Sequence, residues 1–321
     1  MSGVIPSEKK RIAFGILGFV LLFWAAFPAF AEIVRESGAE LAFRQSDGEV
    51  ITLPKNPRRV VIGYLSMAGV WDQAGGRAVG VLAGRNDQAL PESMRSLPKV
   101  GSGMLPNVEK VVALAPDLVL LSDKIGRHKG VAKQLRTFGI AAVCLPYDNY
   151  RDYLDLLDLF CRLNGKNIER VPEADRMVKE VESICRKARK EVPPPRCAII
   201  FGSASGFSLE SDTTNSGMIA GMLGAVNIRR RNNSRRLPFS FEQFLQEDPD
   251  VIFIVTMGDT KALREKFRGE LMAQSAWREL SAAKNNRVHF LEPELFLFMP
   301  GPDYPKAFRR MAALLYPAGK F

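Results

Sequence analysis

The chain is predicted to be an α/β protein of two halves joined by one long helix. Three observations lead there. Short strand-like apolar runs alternate with helical segments before residue 150, a long amphipathic helical stretch follows, and the alternation restarts after Pro193-Pro194-Pro195.

The elements follow in order. Residues 40–53 alternate loosely about a turn at Asp47-Gly48 and suit a short hairpin, closed by Pro54 and Pro57. Arg59-Val60-Val61-Ile62-Gly63 is a short apolar run, followed by a helical segment from Ser66 to Ala74 and a strand from Ala78 to Leu82. Val108 to Leu114 is helical, and Pro116-Asp117 leads into the strand Leu118 to Leu121. A helix from Lys129 to Phe138 and a strand from Ala141 to Leu145 complete the first run. Tyr150 to Leu163 is an amphipathic helix. The longer helix beyond Gly165 places Ala174, Met177, Val178, Val181, Ile184 and Ala188 at spacings of three and four, and Pro172 fits only its first turn. The second run has strands at Cys197–Phe201, Val251–Val255 and Val288–Leu291. Its helices are expected at Ser216–Leu223, Phe241–Gln246, Leu263–Met272 and Lys306–Leu315.

The N-terminus reads as an export signal. Lys9, Lys10 and Arg11 precede an apolar run from Ile12 to Phe30, and Ala29-Phe30-Ala31 offers a small-residue cleavage site. An uncleaved anchor is the alternative, since about 19 apolar residues can span a bilayer. The domain plan is therefore a signal over residues 1–31, a first lobe over 32–165, a bridging helix over 166–193 and a second lobe over 194–321. A periplasmic location and a monomer are expected.

The formal net charge is +10, and loss of residues 1–31, with three basic residues and one acid, lowers it by two to +8. Such a charge suits an anionic solute or surface. Export and the lack of clustered aromatics exclude nucleic acid as a partner. Cys144, Cys161, Cys185 and Cys197 lack metal-site spacing; Cys185 and Cys197 could pair after export, or all four could be buried thiols. An enzyme is not expected, because no P-loop, GxGxxG, GxSxG or HExxH stands in a matching context. Gly202-Ser203-Ala204-Ser205-Gly206 follows a strand but lacks the Lys-Ser/Thr of a nucleotide site.

One pattern occurs in both halves. Asn107-Val108-Glu109 leads through Pro116-Asp117 into a strand, and Ser240-Phe241-Glu242 leads through Pro249-Asp250 into another. Glu109 and Glu242 each stand seven positions before the proline. An acid in a first helical turn favours the helix dipole, but that accounts for each Glu singly and not for the matching placement.

These segments, with Ile51-Thr52-Leu53-Pro54, Pro57-Arg58-Arg59-Val60-Val61, Gly224-Ala225-Val226-Asn227-Ile228, Trp277-Arg278-Glu279-Leu280 and Leu314-Leu315-Tyr316-Pro317, resemble the siderophore, haem and vitamin B12 group of periplasmic binding proteins. The resemblance runs from about Gly48 to Pro317. It implies two Rossmann-like lobes, each with a mostly parallel sheet, bridged by a single long α-helix, with the ligand held between them. It further implies capture of a metal chelate (a ferric siderophore or a corrinoid) and delivery to the permease dimer of an ABC importer in the inner membrane. Glu109 and Glu242 are the positions matching the acids that dock into the permease. A cobalamin or haem carrier on the same fold stays open, as does a ligand-binding sensor not coupled to transport.

Ligands of open α/β sheets sit outside the carboxyl ends of the strands. That rule picks out Tyr64, Arg85, Ser102, Met104, Lys124 and Tyr147 in the first half, and Ser203, Ser205, Arg235, Arg236, Met257 and Phe296 in the second. Aromatic and Met side chains offer apolar faces, and Arg offers a fixed cationic fork. Arg229 to Arg236 holds the densest charge, suited to an anion or simply to solvent. No intrinsic cofactor and no protein metal site are expected. Haem capture uses an axial Tyr, His or Met; the chain has only His128 and His289, each of a kind that usually packs or faces solvent, and Ser102 falls where haem-binding members carry Tyr.

Overall fold

The computed structural model describes residues 33–84, 90–168, 171–229, 236–238, 240–258 and 260–321, without the side chains of Gln243 and Thr260. The expected signal segment lies outside these residues. Among the described residues no helix is long and apolar enough to cross a membrane.

Strands β1 (Ile33–Glu36), β2 (Glu40–Arg44) and β3 (Val50–Pro54) form an antiparallel sheet in that order. The hairpin over 40–53 is thus present, and β1 extends it: Ile33 opposes Phe43 and Glu36 opposes Leu41. Strand β2 buries Leu41, Ala42 and Phe43 and β3 buries Ile51 and Leu53, whereas β1 is half-buried only at Ile33 and exposed from Val34 to Glu36, so it left no alternation to read.

The first parallel sheet comprises β4 (Val60–Ile62), β5 (Ala78–Val81), β8 (Leu118–Ser122) and β9 (Ala141–Leu145) in the order β5-β4-β8-β9. Helix α1 (Ala68–Gln73) separates β4 from β5. Between β5 and β8 lie α2 (Glu92–Arg95), a short ladder of β6 (Gly101–Ser102) with β7 (Leu105–Pro106), and α3 (Val108–Ala113). Helix α4 (Gly126–Thr137) joins β8 to β9 and buries Val131, Ala132 and Leu135 against the sheet. Strand β8 is buried at every position, as expected of a central parallel strand covered on both faces.

Helices α5 (Tyr150–Leu163) and α6 (Pro172–Ala188) follow. The bridge expected over 166–193 is helical only from Pro172, which takes the first helical position after Val171. It packs along the last helix rather than standing alone, and α5 packs on α1 and on the helix Asn215–Met222 of the second half.

The second sheet repeats the first. Strands β10 (Arg196–Ser203), β12 (Val226–Asn227), β14 (Val251–Thr256) and β15 (Val288–Phe290) pair in parallel, β12 with β10, β10 with β14, and β14 with β15. In chain order of the parallel strands this is the 2-1-3-4 arrangement of the first sheet. Two antiparallel strands that the sequence reading missed, β11 (Gly206–Glu210) and β13 (Arg236–Pro238), extend it beyond β10. Helices α7 (Asn215–Met222), α8 (Phe241–Glu247), α9 (Thr260–Phe267), α10 (Ser281–Lys284), α11 (Pro293–Phe296) and α12 (Tyr304–Leu315) surround it.

The Pro-Asp repeat has a physical basis. Asp117 accepts hydrogen bonds from the backbone N–H groups of Arg58 (2.7 Å) and Arg59 (3.0 Å), and its own N–H donates to Arg59 C=O at 2.9 Å. Asp250 does the same with Arg196, accepting at 2.7 Å and donating at 2.9 Å. Each Arg then reaches back to the end of the preceding helix: Arg59 Nη2 donates to Leu114 C=O at 2.8 Å, and Arg196 Nη2 to Glu247 C=O at 2.9 Å. Ala115 and Asp248, two residues before each Asp, both take left-handed φ, +42° and +35°. Helix, turn and strand are thus clamped alike in both halves, and the carbonyls left open at each helix end gain guanidinium donors.

The two halves meet in an aromatic seam within one compact unit. The Tyr150 ring lies 4.8 Å from Tyr304 and 5.3 Å from Phe308, and Tyr153 lies 5.2 Å from Tyr304. The Tyr304 hydroxyl donates to Asn215 Oδ1 at 3.0 Å, and Asn215 Nδ2 donates to the carbonyls of Leu295 and Phe296. All four cysteines are buried and free, so Cys185 and Cys197 are not paired. Burial pushes their thiols up to about 12.

Replacing Tyr304 by Phe keeps the ring but leaves the buried Asn215 oxygen without its donor. A loss of about 1–3 kcal/mol is expected, read as a lower urea midpoint at unchanged slope. An unchanged midpoint would mean that the seam holds by ring packing alone.

Candidate functional site

The 2-1-3-4 order reverses direction between β4 and β8 in the first sheet and between β10 and β14 in the second. Crevices open outside the carboxyl ends of strands at such reversals. The flanking loops are Gly63–Leu65 and Ser122–Lys124 in one half, and Gly202–Ser205 and Thr256–Gly258 in the other. Backbones approach closely here. A Cβ on Gly63 would stand 2.6 Å from Leu121 Cδ2 and 3.1 Å from Leu120 O, so only glycine fits without displacement.

Apolar side chains face solvent at these edges. Met104 is 54% exposed at the tip of the β6–β7 hairpin, Met257 is 49% exposed after β14, and Phe298 is 49% exposed beyond β15. The Met104 presentation is forced by the backbone. Gly103 and Met104 both have positive φ, +60° and +64°, the tight two-residue turn that lets β6 and β7 pair. Phe298 was missed in the sequence because the run Phe296-Leu297-Phe298-Met299 is apolar throughout. Only the fold decides that Phe296 and Met299 point inward while Phe298 points out.

Polar groups stand among them. Tyr64 is half-buried and Ser102 exposed. Lys124 is ion-paired with Asp148 across the ends of β8 and β9. Ser203 and Ser205 share a hydrogen bond of 2.8 Å, with Ser203 buried and Ser205 exposed.

Three expectations are corrected. Tyr147 is wholly buried, its ring stacked 6.4 Å from Tyr153, and its hydroxyl packs toward Gly301 in the seam between halves. Phe296 is buried in the second core, and its carbonyl accepts from Ser216 Oγ at 3.1 Å. Neither side chain meets solvent. Arg236 turns its guanidinium inward, donating to Glu210 Oε1 at 2.9 and 3.1 Å and lying 3.5 Å from the centre of the Phe201 ring. Its charge is taken up by a carboxylate only 3% exposed, so it is not a free anion site. Arg85 and Arg235 lie outside the described residues. A hollow of about 200 Å³ lies elsewhere, against α8, lined by Leu209, Ile228, Arg229, Phe244, Gln246 and Glu247.

Both histidines are drawn into the fold, His289 partly and His128 wholly. His289 lies partly buried beside Phe253, and burial lowers its pKa, aided by Arg287 and Arg310. His128 is fully buried and bonded at both ring nitrogens. Among the described residues no cluster of His, Cys, Asp or Glu is arranged to hold a metal ion.

Glu109 and Glu242 are exposed in the first turns of α3 and α8. Asn107 caps α3 by accepting from Lys110 N–H at 2.9 Å. Because the Asp117 and Asp250 clamps fix the two helices in the same relation to their sheets, the two acids occupy equivalent places on equivalent scaffolds.

The periplasmic binding protein family model matches residues 60–295. The high-affinity heme uptake system protein IsdE of Staphylococcus aureus (strain MRSA252) is 25% identical over 234 residues, 71% of this chain and 78% of that protein. The crystal structure of S. aureus IsdE complexed with heme superposes with a TM-score of 0.72 at 22% identity, covering 80% of this chain and 98% of that one. The periplasmic vitamin B12 binding protein BtuF of Vibrio cholerae gives 0.63 at 18% identity, covering 83% and 99%.

Changing Arg236 to Ala leaves the Glu210 carboxylate buried without its partner. A stability loss on the order of 3 kcal/mol is expected, the low end for a buried pair because the guanidinium is partly exposed. Adding Glu210→Gln should restore most of it in urea denaturation; no recovery would place the effect on the Phe201 contact instead.

Proposed function

Because the chain belongs to the periplasmic binding protein family, we propose that it binds a metal chelate with a large apolar face outside the cytoplasm and hands it to an ABC permease. A tetrapyrrole, haem or corrinoid, is the ligand class we favour. One observation carries this reading: Met104, Met257 and Phe298 present exposed apolar surface at the carboxyl edges of both sheets. A flat macrocycle of mostly carbon atoms gains by covering such surface, at roughly 25 cal/mol per Å² removed from water. The pairing of Arg236 with Glu210 weakens the case for a compact anionic siderophore, which would rely on free cationic forks. The named relatives point the same way, since IsdE is a heme uptake protein and BtuF a vitamin B12 binding protein.

In this reading residues 1–31 direct export and are removed, the chain binds rather than catalyses, and the metal arrives already chelated as cargo. Ser102, Ser203, Ser205 and Tyr64 supply hydrogen bonds around the rim of the chelate, and Lys124 joins them together with its partner Asp148. Glu109 and Glu242 enter basic pockets, one on each permease subunit. Complementary charge of this kind sets orientation and encounter more than raw affinity.

Spectral titration with hemin, hydroxocobalamin, a ferric hydroxamate and a ferric catecholate tests the ligand class. A tetrapyrrole at 100 times its Kd should add about 2.7 kcal/mol of stability, and Met104→Ala and Met257→Ala should each weaken it. Saturation by a ferric hydroxamate or catecholate alone would overturn the tetrapyrrole reading.

Changing Glu109 and Glu242 together to Ala should leave fold and ligand affinity intact but abolish uptake, with a loss of about 2–5 kcal/mol for each desolvated pair. Normal uptake by the double variant, in cells lacking other binding proteins, would overturn the docking role of these two residues.

A further inference from the structure

Met104 holds a conformation that its side chain does not favour. Left-handed φ suits Gly or Asn, and a long side chain there is uncommon. The turn Gly103–Met104 therefore needs an external restraint if the thioether is to stay where it is. The structure supplies one. The backbone carbonyl of Met104 lies 2.8 Å from Nε2 of His128, a residue of α4 with no exposed surface. The other ring nitrogen, Nδ1, lies 3.1 Å from the backbone N–H of Ser122, the last residue of β8.

The two contacts together settle the protonation state. A backbone N–H can only donate, so Nδ1 must carry its lone pair. The neutral ring then holds its proton on Nε2 and donates it to the Met104 carbonyl. One buried imidazole thus ties the hairpin tip to the carboxyl end of the central strand, where the sheet order reverses. We propose that His128 is a positioning residue for solute binding: in its neutral form it latches the Met104 turn to β8 and sets the thioether at the mouth of the site. This rests on the reading that the Met104 turn meets the solute.

The latch opens with acid. A second proton would sit on Nδ1 and face the Ser122 N–H, replacing a hydrogen bond by two opposed donors. Burial already lowers the His128 pKa, and Arg127 beside it on α4 acts in the same direction. Of the segments packed on α4, α3 carries Glu109 and Lys110, both exposed; β9 carries the buried Cys144; β7 and β8 carry no titratable side chain; Asp123 and Lys124 follow β8; and the β2–β3 turn carries Asp47 and Glu49, which pair with Lys129 and Arg136 of α4. Among the described residues no carboxylate is hydrogen-bonded to the ring to stabilise its cation. With the folded pKa below that of the unfolded chain, the unfolded state binds more protons between the two values. Stability from this group is therefore full above about pH 6.5 and declines as pH falls toward the folded value.

The ligand-free protein provides the first test. In wild type, the Ser122 amide and the Met104 methyl resonances should titrate together with one midpoint below about 6.5. In His128→Gln, whose planar amide keeps one acceptor and one donor, the turn should keep its neutral-pH shifts and lose the titration. His128→Phe, which keeps bulk but neither nitrogen, should shift the resonances of residues 101–106 at every pH. A Met104 methyl that ignores the His128 titration overturns the latch.

Hemin and hydroxocobalamin provide the second test. Affinity for whichever binds should fall about five- to tenfold in wild type as pH is lowered through the His128 midpoint found in the ligand-free protein, on the scale of one lost hydrogen bond, and stay flat in His128→Gln. Unchanged binding by Met104→Ala, or binding of neither probe, overturns the solute reading itself. Weakened binding by Met104→Ala together with wild-type affinity and pH profile in both His128 variants overturns the latch alone.

Discussion

The aromatic seam between the two halves is the contact on which the arrangement of the molecule depends. Tyr150 and Tyr153 enter from α5, and Tyr304 and Phe308 from α12, with centroids 4.8–6.4 Å apart in tilted and edge-on pairs. Such pairs add about 0.5–1.5 kcal/mol each beyond the area they bury. Two of the polar tips find side-chain partners: Tyr304 bonds Asn215, and Tyr153 bonds Gln73 on α1 at 2.5 Å. The seam therefore fixes α1, α5, α7 and α12 at once, and with them the carboxyl edges of both sheets. Helix α6 adds a second tie, with Met177 sulfur 4.0 Å from the Tyr150 hydroxyl. A protein joined this way is stiffer between its halves than one joined by a lone helix.

Symmetry of scaffold and asymmetry of site coexist here. Arg59 with Asp117, and Arg196 with Asp250, perform the same local task twice, bringing a helix end, a left-handed residue and two parallel strands into one register. Glu109 and Glu242 inherit equivalent positions from it. The carboxyl edges have diverged. The first half carries the short β6–β7 hairpin that lifts Met104 into solvent, whereas the second adds β11 and β13 and anchors β13 through Arg236 on Glu210.

Buried charge and buried polarity do different work in the two places. Glu210 is held by a guanidinium that also covers Phe201, so a residue suited to anion recognition is spent on securing an added strand. His128 has no charged partner among the described residues; burial favours its neutral ring, and that ring is what a carbonyl and a backbone N–H require. Both outcomes follow from the same rule, that a polar group removed from water must find its hydrogen bonds within the protein.

The sequence by itself determined the α/β alternation, the parallel strands read at 59–63, 118–121, 197–201 and 251–255, and the matched pair of Glu residues. Those signals are local: apolar runs of strand length, Pro-Asp turns and a constant seven-residue offset. The short ladders at 101–106 and 206–210 escaped because, unlike the equally short parallel strands, they carry no continuous apolar run: Gly and Ser interrupt both segments. Among the candidate site residues, Met104 and Met257 were singled out by their places after strands, and both emerge exposed. Tyr147, Phe296 and Arg236 sit in equally plausible loops, yet the fold turns them inward, since which side of a loop meets water depends on what packs against it. The role of His128 was beyond sequence reading for the same reason: its partners lie 6 and 24 residues away, and only tertiary contact brings Ser122 and Met104 to the two nitrogens of one ring.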